Sequence, residues 1–301
     1  MVRLLIIVRW IVGRVPVGLG NWCADRLGDL AWLVAPRSSC AARSNMRHVL
    51  GPAAPERVVR RMARRVLRNM MRNYYDLFRI GRVSDAELDE MIDFDKDSLA
   101  MVQRMAATEH GILLVTAHWG AFDMVTQVLL RRGLSIMFLV ARFRPPQVAE
   151  FITDLRRQRG SELVWIDDGL TTLKKAMQAL RAGRLVGLMP DRNMDRTGIM
   201  IPFFGDDTVV ATGLAKMALR SRAPIVPGFC YRVKKNRYAF FFTQPIYPPQ
   251  EGNEADKVTA LTRAVFAVFE QQIARYPDQW TLLQPIWPDA PCPPDPGLAP
   301  A

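Results

Sequence analysis

From Gly111 onward, short apolar runs alternate with helical segments, and this rhythm leaves few architectures open to the chain. The run "ILLVTA" reads as a strand, and Phe122 to Arg132 as a helix closed by Gly133. "SIMFLVA" and a helix from Gln147 to Arg159 closed by Gly160 come next, followed by "LVWI", a helix from Leu170 to Arg181 closed by Gly183, and "LVGLM". Strands joined through a helix return to the same end of a sheet, so they pair in parallel. The expected fold is α/β, with a mostly parallel central sheet flanked by helices. Beyond it lie "GIMIPFFG", a helix near Thr212 to Arg220, the strands "PIVPGFCY" and "RYAFFFTQ", and a long helix from Glu254 to Tyr276.

A chain of 301 residues, half of them hydrophobic, can bury one large core. Three regions are expected: residues 1–50 as amphipathic helices, 51–287 as the main domain, and 288–301, with six prolines in fourteen residues, as a disordered tail. The opening "MVRLLIIVRWIVGRVPVGLG" is broken by Arg9 and Arg14 and ended by Pro16. It lacks the roughly 20 apolar residues a spanning helix needs, and no small-x-small cleavage site follows its short apolar core. In "NWCADRLGDLAWLVAP", Trp22, Leu27, Leu30, Ala31 and Val34 fall near one helical face and Asp25, Arg26 and Asp29 on the other. Two such helices bearing Trp10, Trp22 and Trp32 suit the headgroup layer of a bilayer; packing on their own domain is the plainer alternative.

Lysine and arginine exceed aspartate and glutamate by 12, which favours anionic partners without choosing among nucleic acid, phospholipid or an acidic carrier protein. Pro55 to Ile80 reads as one helix with Arg57, Arg60, Arg61, Arg64, Arg65, Arg68 and Arg72 along one side. This is a solvated face, partly neutralised by the acidic segment Asp85 to Asp97, or a dock for phosphates. Nucleic acid is the rival partner, but no reader motif accompanies the stripe, so no specific nucleic-acid binding is expected. Cys23, Cys40, Cys230 and Cys292 are widely spaced and indicate neither a disulfide framework nor a zinc site. No metal and no cofactor are expected.

His118, one of three histidines, ends the strand "ILLVTA" at the sheet edge where open parallel sheets bind ligands. Five residues on, Asp123 falls in the first turn of the next helix. A carboxylate there can hold one imidazole nitrogen as a donor and leave the other as a base. Taken singly, Asp123 could serve only the helix dipole and His118 could be a satisfied core residue. No G-x-S-x-G elbow accompanies them, so a serine hydrolase is disfavoured. A His–Asp base without a protein nucleophile would act on a hydroxyl of the substrate.

"HWGAFD" resembles the H-x-x-x-x-D/E motif of the lysophospholipid acyltransferase superfamily. The ordered series "NYYDLFR", "HWGAFD", "LRRQRG", "LMPDRN", "GIMIPFFGDDTVVATGLAKMALRSRAPIVPGF" and "YPDQWTLLQPIWP" resembles its bacterial branch, the lipid A biosynthesis (lauroyl/myristoyl) acyltransferases and phosphatidylinositol mannoside acyltransferases. The resemblance implies a glycerol-3-phosphate acyltransferase-like fold, a peripheral enzyme on the cytoplasmic face of the bacterial inner membrane, acyl-ACP or acyl-CoA as donor, and an anionic glycolipid as acceptor. A catalytically silent membrane adaptor is the alternative within the same setting. The resemblance also implies that His118 deprotonates the acceptor, that Asp123 orients its ring, and that Asp191, Arg192, Arg156 and Arg142, with Arg144 as rival to the last, contact substrate. Phe203, Phe204 and "IVPGF" would wall an acyl groove, and Gly120 and its neighbours could supply oxyanion N–H groups. The ending "DQWTLLQPIWP" departs from the "HRR" ending common among the lipid A enzymes and leans toward the mannoside branch.

Overall fold

A computed structural model describes residues 2–108, 111–143, 145–157, 160–193, 195–288, 290 and 292. His110, Arg144, Arg159 and most of the proline-rich tail lie outside these, so the expectations for Arg144 and for a disordered end fall there too. The chain begins with four helices: α1 (Val2–Val12), α2 (Val17–Val34), α3 (Pro36–Leu50) and α4 (Glu56–Ile80). α5 (Asp85–Met91), β1 (Ile92–Phe94) and α6 (Lys96–Thr108) lead into the alternating region. There β2 (Ile112–Val115), α7 (Phe122–Leu129), β3 (Ile136–Val140), α8 (Pro146–Arg157), β4 (Glu162–Trp165), α9 (Leu170–Arg181) and β5 (Leu185–Leu188) follow the sequence expectation closely. The remainder is a hairpin of β6 (Ile199–Phe203) and β7 (Asp206–Val210), then α10 (Gly213–Ser221), β8 (Ile225–Lys234), β9 (Arg237–Phe242) and α11 (Glu254–Arg275).

The seven strands order as β1-β9-β8-β2-β5-β3-β4. Every neighbouring pair is parallel except β8–β9. β2 lies mid-sheet, its four residues all buried, as a strand covered on both faces must be. "GIMIPFFG" stands apart from this sheet: β6 pairs only with β7, in antiparallel register.

α2 does not seat itself by its large apolar residues. α2 buries Gly20, Ala24 and Gly28, spaced by four, against α4. A Cβ on Gly28 would sit 2.5 Å from the Arg68 Cα and one on Gly20 2.2 Å from the Tyr75 ring, so only glycine permits this approach. Asp25 and Asp29 turn toward α4, where Asp29 accepts from Arg64 and Arg68 and Asp25 from Arg72. Burial would raise the Asp29 carboxyl, but the Arg68 and Arg64 guanidiniums outweigh it and hold it well below the usual range. Three of the seven stripe arginines, Arg64, Arg68 and Arg72, are therefore paired from α2, and the partial neutralisation expected from Asp85 to Asp97 is not what meets them. Asp85 and Asp89 instead pair with Arg131 and Arg132, and Glu87 pairs with Arg79. Trp22, Leu27, Leu30, Leu33 and Val34 are left pointing outward, as are Ile6, Ile7, Trp10 and Ile11 of α1.

The cysteines also depart from expectation. Cys40 on α3 is disulfide-bonded to Cys292, with Cα atoms 5.5 Å apart across a separation of 252 residues. Chain reversal brings them together, which spacing along the sequence does not reveal.

Candidate active site

The register of the sheet places the site. β2 pairs with β5 so that Val115 lies opposite Leu188. His118 is three residues past the first and Asp191 three past the second, so the two overhang the sheet edge side by side. Asp191 Oδ1 lies 2.8 Å from His118 Nδ1, and Oδ2 accepts the His118 backbone N–H at 2.8 Å and the Trp280 indole N–H at 3.0 Å. A carboxylate can only accept, so Nδ1 carries the proton and Nε2 keeps its lone pair. Nε2 has no hydrogen-bond partner among the described residues, and the His118 side chain remains 24% exposed while that of Asp191 is wholly enclosed. Burial alone would raise the Asp191 carboxyl. The His118 imidazole and the N–H donors outweigh it and hold the group below the ordinary carboxylate value.

Asp123 does not fill the place expected of it. Its carboxylate forks onto Arg156 of α8, at 2.7 Å and 3.2 Å, from the first turn of α7. The ring-holding carboxylate is Asp191, which enters from the neighbouring strand, while Asp123 spends its oxygens on a guanidinium. Tyr74 of α4 joins this group: its phenol is raised by burial and feels the charges of Arg156, Asp123 and Arg192. Arg192 donates to Gln284 Oε1 at 3.2 Å. Arg156 is thus tied directly to Asp123, while Arg192 is held by Gln284. Arg142 has other partners: it sits exposed just after β3, pairs with Asp168 of the turn after β4 and lies over the Trp165 ring at 4.8 Å.

The loop between His118 and α7 is pinned on every side. Gly120 has φ +70°, and a Cβ there would lie 2.0 Å from the Cys230 carbonyl oxygen. Its N–H donates to the Gln279 carbonyl, its carbonyl accepts from the Asn73 side chain, and the Ala121 N–H donates to the Cys230 carbonyl. The backbone N–H groups of His118, Gly120 and Ala121 are all committed, so the expected oxyanion donors are not these. Asn73 faces Arg232, whose guanidinium also meets Asp76 and Tyr238 in a buried network. Desolvation would lower the Arg232 guanidinium, but Asp76 outweighs it and keeps the charge fixed. Cys230, close by, is no nucleophile: burial pushes its thiol far up.

The segment "YPDQWTLLQPIWP" completes the site, a role sequence reasoning missed. Thr281 donates its N–H and hydroxyl to the His118 carbonyl, Trp280 holds Asp191, and Gln284 links Asn193 and Arg192. Of the expected groove walls, Phe203 and Phe229 are fully buried and Phe204 is half-buried. Phe203 packs against Phe266, Trp280 and Trp287, so it supports the site from behind.

Comparison with known proteins points the same way. The model of the bacterial lipid A biosynthesis acyltransferase family matches residues 1–288. The phosphatidylinositol mannoside acyltransferase of Mycobacterium tuberculosis is 28% identical over 246 residues, covering 81% of this chain and 76% of that protein. The phosphatidylinositol mannoside acyltransferase of Mycolicibacterium smegmatis is 27% identical, covering 72% and 69%. The lipid A biosynthesis acyltransferase of Haemophilus influenzae is 24% identical, covering 60% and 55%.

Proposed function

The chain belongs to the bacterial lipid A biosynthesis acyltransferase family and is an acyltransferase, and on that premise we propose a peripheral membrane O-acyltransferase acting by general-base catalysis. It moves a fatty acyl group from a thioester, acyl-ACP or acyl-CoA, to a hydroxyl of an anionic glycolipid of the lipid A precursor or phosphatidylinositol mannoside type. The observation that carries this reading is the partly exposed His118 side chain, whose Nε2 has no hydrogen-bond partner among the described residues, backed by an enclosed carboxylate at 2.8 Å from Nδ1.

In this mechanism Nε2 takes the proton of the acceptor hydroxyl as its oxygen bonds to the thioester carbonyl carbon. The Nδ1 proton stays in its bond to Asp191, which stabilises the imidazolium without being protonated itself. Collapse of the tetrahedral intermediate breaks the carbon–sulfur bond, and the imidazolium returns its proton to the departing thiolate. In this reading Tyr74, Arg192 and the Asp123–Arg156 pair face the acceptor, and Arg192 contacts its phosphate.

No described helix is long and apolar enough to cross a membrane. Attachment instead uses the outward apolar face of α1 and α2, where Trp10, Trp22, Leu30 and Leu33 are each more than half exposed. The test is mass spectrometry of reactions with acyl-ACP and acyl-CoA against a panel of extracted glycolipids. Wild type yields one acylated glycolipid, and His118→Ala lowers its formation by about 10²–10⁴ with folding and vesicle binding intact. Near-normal turnover in that variant removes the mechanism.

A further inference from the structure

α2, α3 and the start of α4 line an open cavity of about 620 Å³ that shares no lining residue with the His118 site. Its lining combines the apolar Trp32, Leu33 and Pro36 of α2 and the start of α3 with Arg43, Arg47 and Arg60 of α3 and α4. Among the described residues the lining holds one carboxylate, Glu56, which meets both Arg43 and Arg47. Arg60 has no ion pair among the described residues. Three guanidiniums against one carboxylate leave an excess of positive charge in a concave space, and guanidinium forks match phosphate oxygens. The volume lies within the range of pockets that hold whole small molecules, far more than one phosphate needs. Leu33, in that lining, and Val34 after it are 76% and 67% exposed and continue the outward face of α2.

We infer that this cavity binds the phosphate and polyol headgroup of an anionic glycerophospholipid, whose acyl chains run along the Leu30, Leu33 and Val34 face of α2. It is a second lipid site, apart from the acceptor site. The inference rests on the reading that this face of α2 meets a bilayer. The phosphate sits among the arginines, the glycerol fills the space beside Ser44, and the chains leave over Leu33. Cys40, which lines the cavity and is bonded to Cys292, fixes the α3 wall.

The experiment uses the full chain and dihexanoyl phosphatidylglycerol below its micellar concentration, with binding followed by titration calorimetry. Wild type takes up about one equivalent. Arg43→Gln/Arg60→Gln weakens binding by about 30-fold, the factor for removing two arginines worth about fivefold each at an anionic surface. Arg57→Gln/Arg61→Gln, exposed on the same helix outside the cavity, changes it by less than about threefold. Equal losses in both variants reduce the effect to diffuse charge and overturn the inference. So does inorganic phosphate that binds as tightly as the lipid, or a lipid affinity unchanged in Arg43→Gln/Arg60→Gln while an acidic acyl carrier protein is no longer held. A parallel flotation with phosphatidylcholine vesicles separates the two readings. Soluble lipid bound without vesicle binding leaves the cavity site standing and removes the bilayer face; vesicles bound without the lipid does the reverse.

Discussion

Replacing Asp191 by Asn tests the arrangement at its centre, because the side chain keeps its size and loses its charge. In the native site one carboxylate accepts three N–H groups, from His118 Nδ1, the His118 backbone and the Trp280 indole. An amide offers a single acceptor oxygen and brings two donors of its own. If the oxygen stays with the backbone and indole N–H groups, the amide nitrogen faces Nδ1, and the imidazole must move its proton to Nε2. The base is then blocked by its own proton. In a serine-protease triad the same change of carboxylate to amide lowers kcat by about 10⁴. With Trp280 and the backbone still holding the side chain, about 10³–10⁴ is expected here, or ~4–5 kcal/mol of transition-state free energy. Loss of the charge-assisted bonds should lower folding stability by about 2–3 kcal/mol. The sign with pH follows from the direction of the shift. A carboxyl held below its unfolded value contributes stability in full above about 3.9, and loses it as pH falls through the lower folded value. The stability gap between wild type and Asp191→Asn, measured by urea denaturation, should therefore be larger at pH 5 than at pH 3. The rate is read by single-turnover acyl transfer, with Asp191→Asn/His118→Ala as partner: a unit of two groups predicts that the double variant is no slower than His118→Ala alone. Turnover of Asp191→Asn within tenfold of wild type, or a stability gap that widens toward pH 3, refutes the reasoning.

Trp280→Phe removes one of the three donors to Asp191 and keeps an aromatic ring, so kcat/KM should fall about tenfold, with ~1.5–3 kcal/mol lost in a thermal melt; no change would mean the indole bond is idle. Gly120→Ala forces a side chain into positive φ and against the Cys230 carbonyl, at a cost of about 3–4 kcal/mol, and should be read as a large fall in melting temperature. Leu30→Glu/Leu33→Glu puts two charges on residues that are 52% and 76% exposed, so circular dichroism should be unchanged while vesicle co-sedimentation falls by more than about 10²-fold. Retained sedimentation would place the membrane contact elsewhere.

The strands and helices from Gly111 to Tyr276 are readable because apolar period and closing glycines are local signals, and both survive into the structure within a few residues. α3, α5, β1 and α6 escape such a reading, since they lack a clean period: α3 carries Arg43, Asn45, Arg47 and His48 among its buried alanines, and β1 is three residues long. The face of α2 is legible, but its partner is not. What seats it on α4 is the absence of side chains at Gly20 and Gly28, a feature that any hydrophobicity count scores as nothing.

The identity of the carboxylate beside His118 shows where a motif read in isolation fails. Five residues of separation make Asp123 the natural partner along the chain, yet a helix beginning at Phe122 commits Asp123 to α7, where Arg156 of α8 claims both of its oxygens. Asp191 is 73 residues away along the chain and adjacent in space, because β2 and β5 are paired strands whose overhangs have equal length. The clue is present in "LMPDRN", an aspartate three residues past a strand, just as the histidine of "VTAH" is three past its own. Turning that coincidence into a contact requires knowing that these two strands are neighbours in register, and β3 and β4 lie between them in the chain. Pairing order across a parallel sheet is set by which helices cover which face, a property of the whole core. The His118–Asp191 pair is therefore a product of topology, and the local motif fixes only the half of it that His118 supplies.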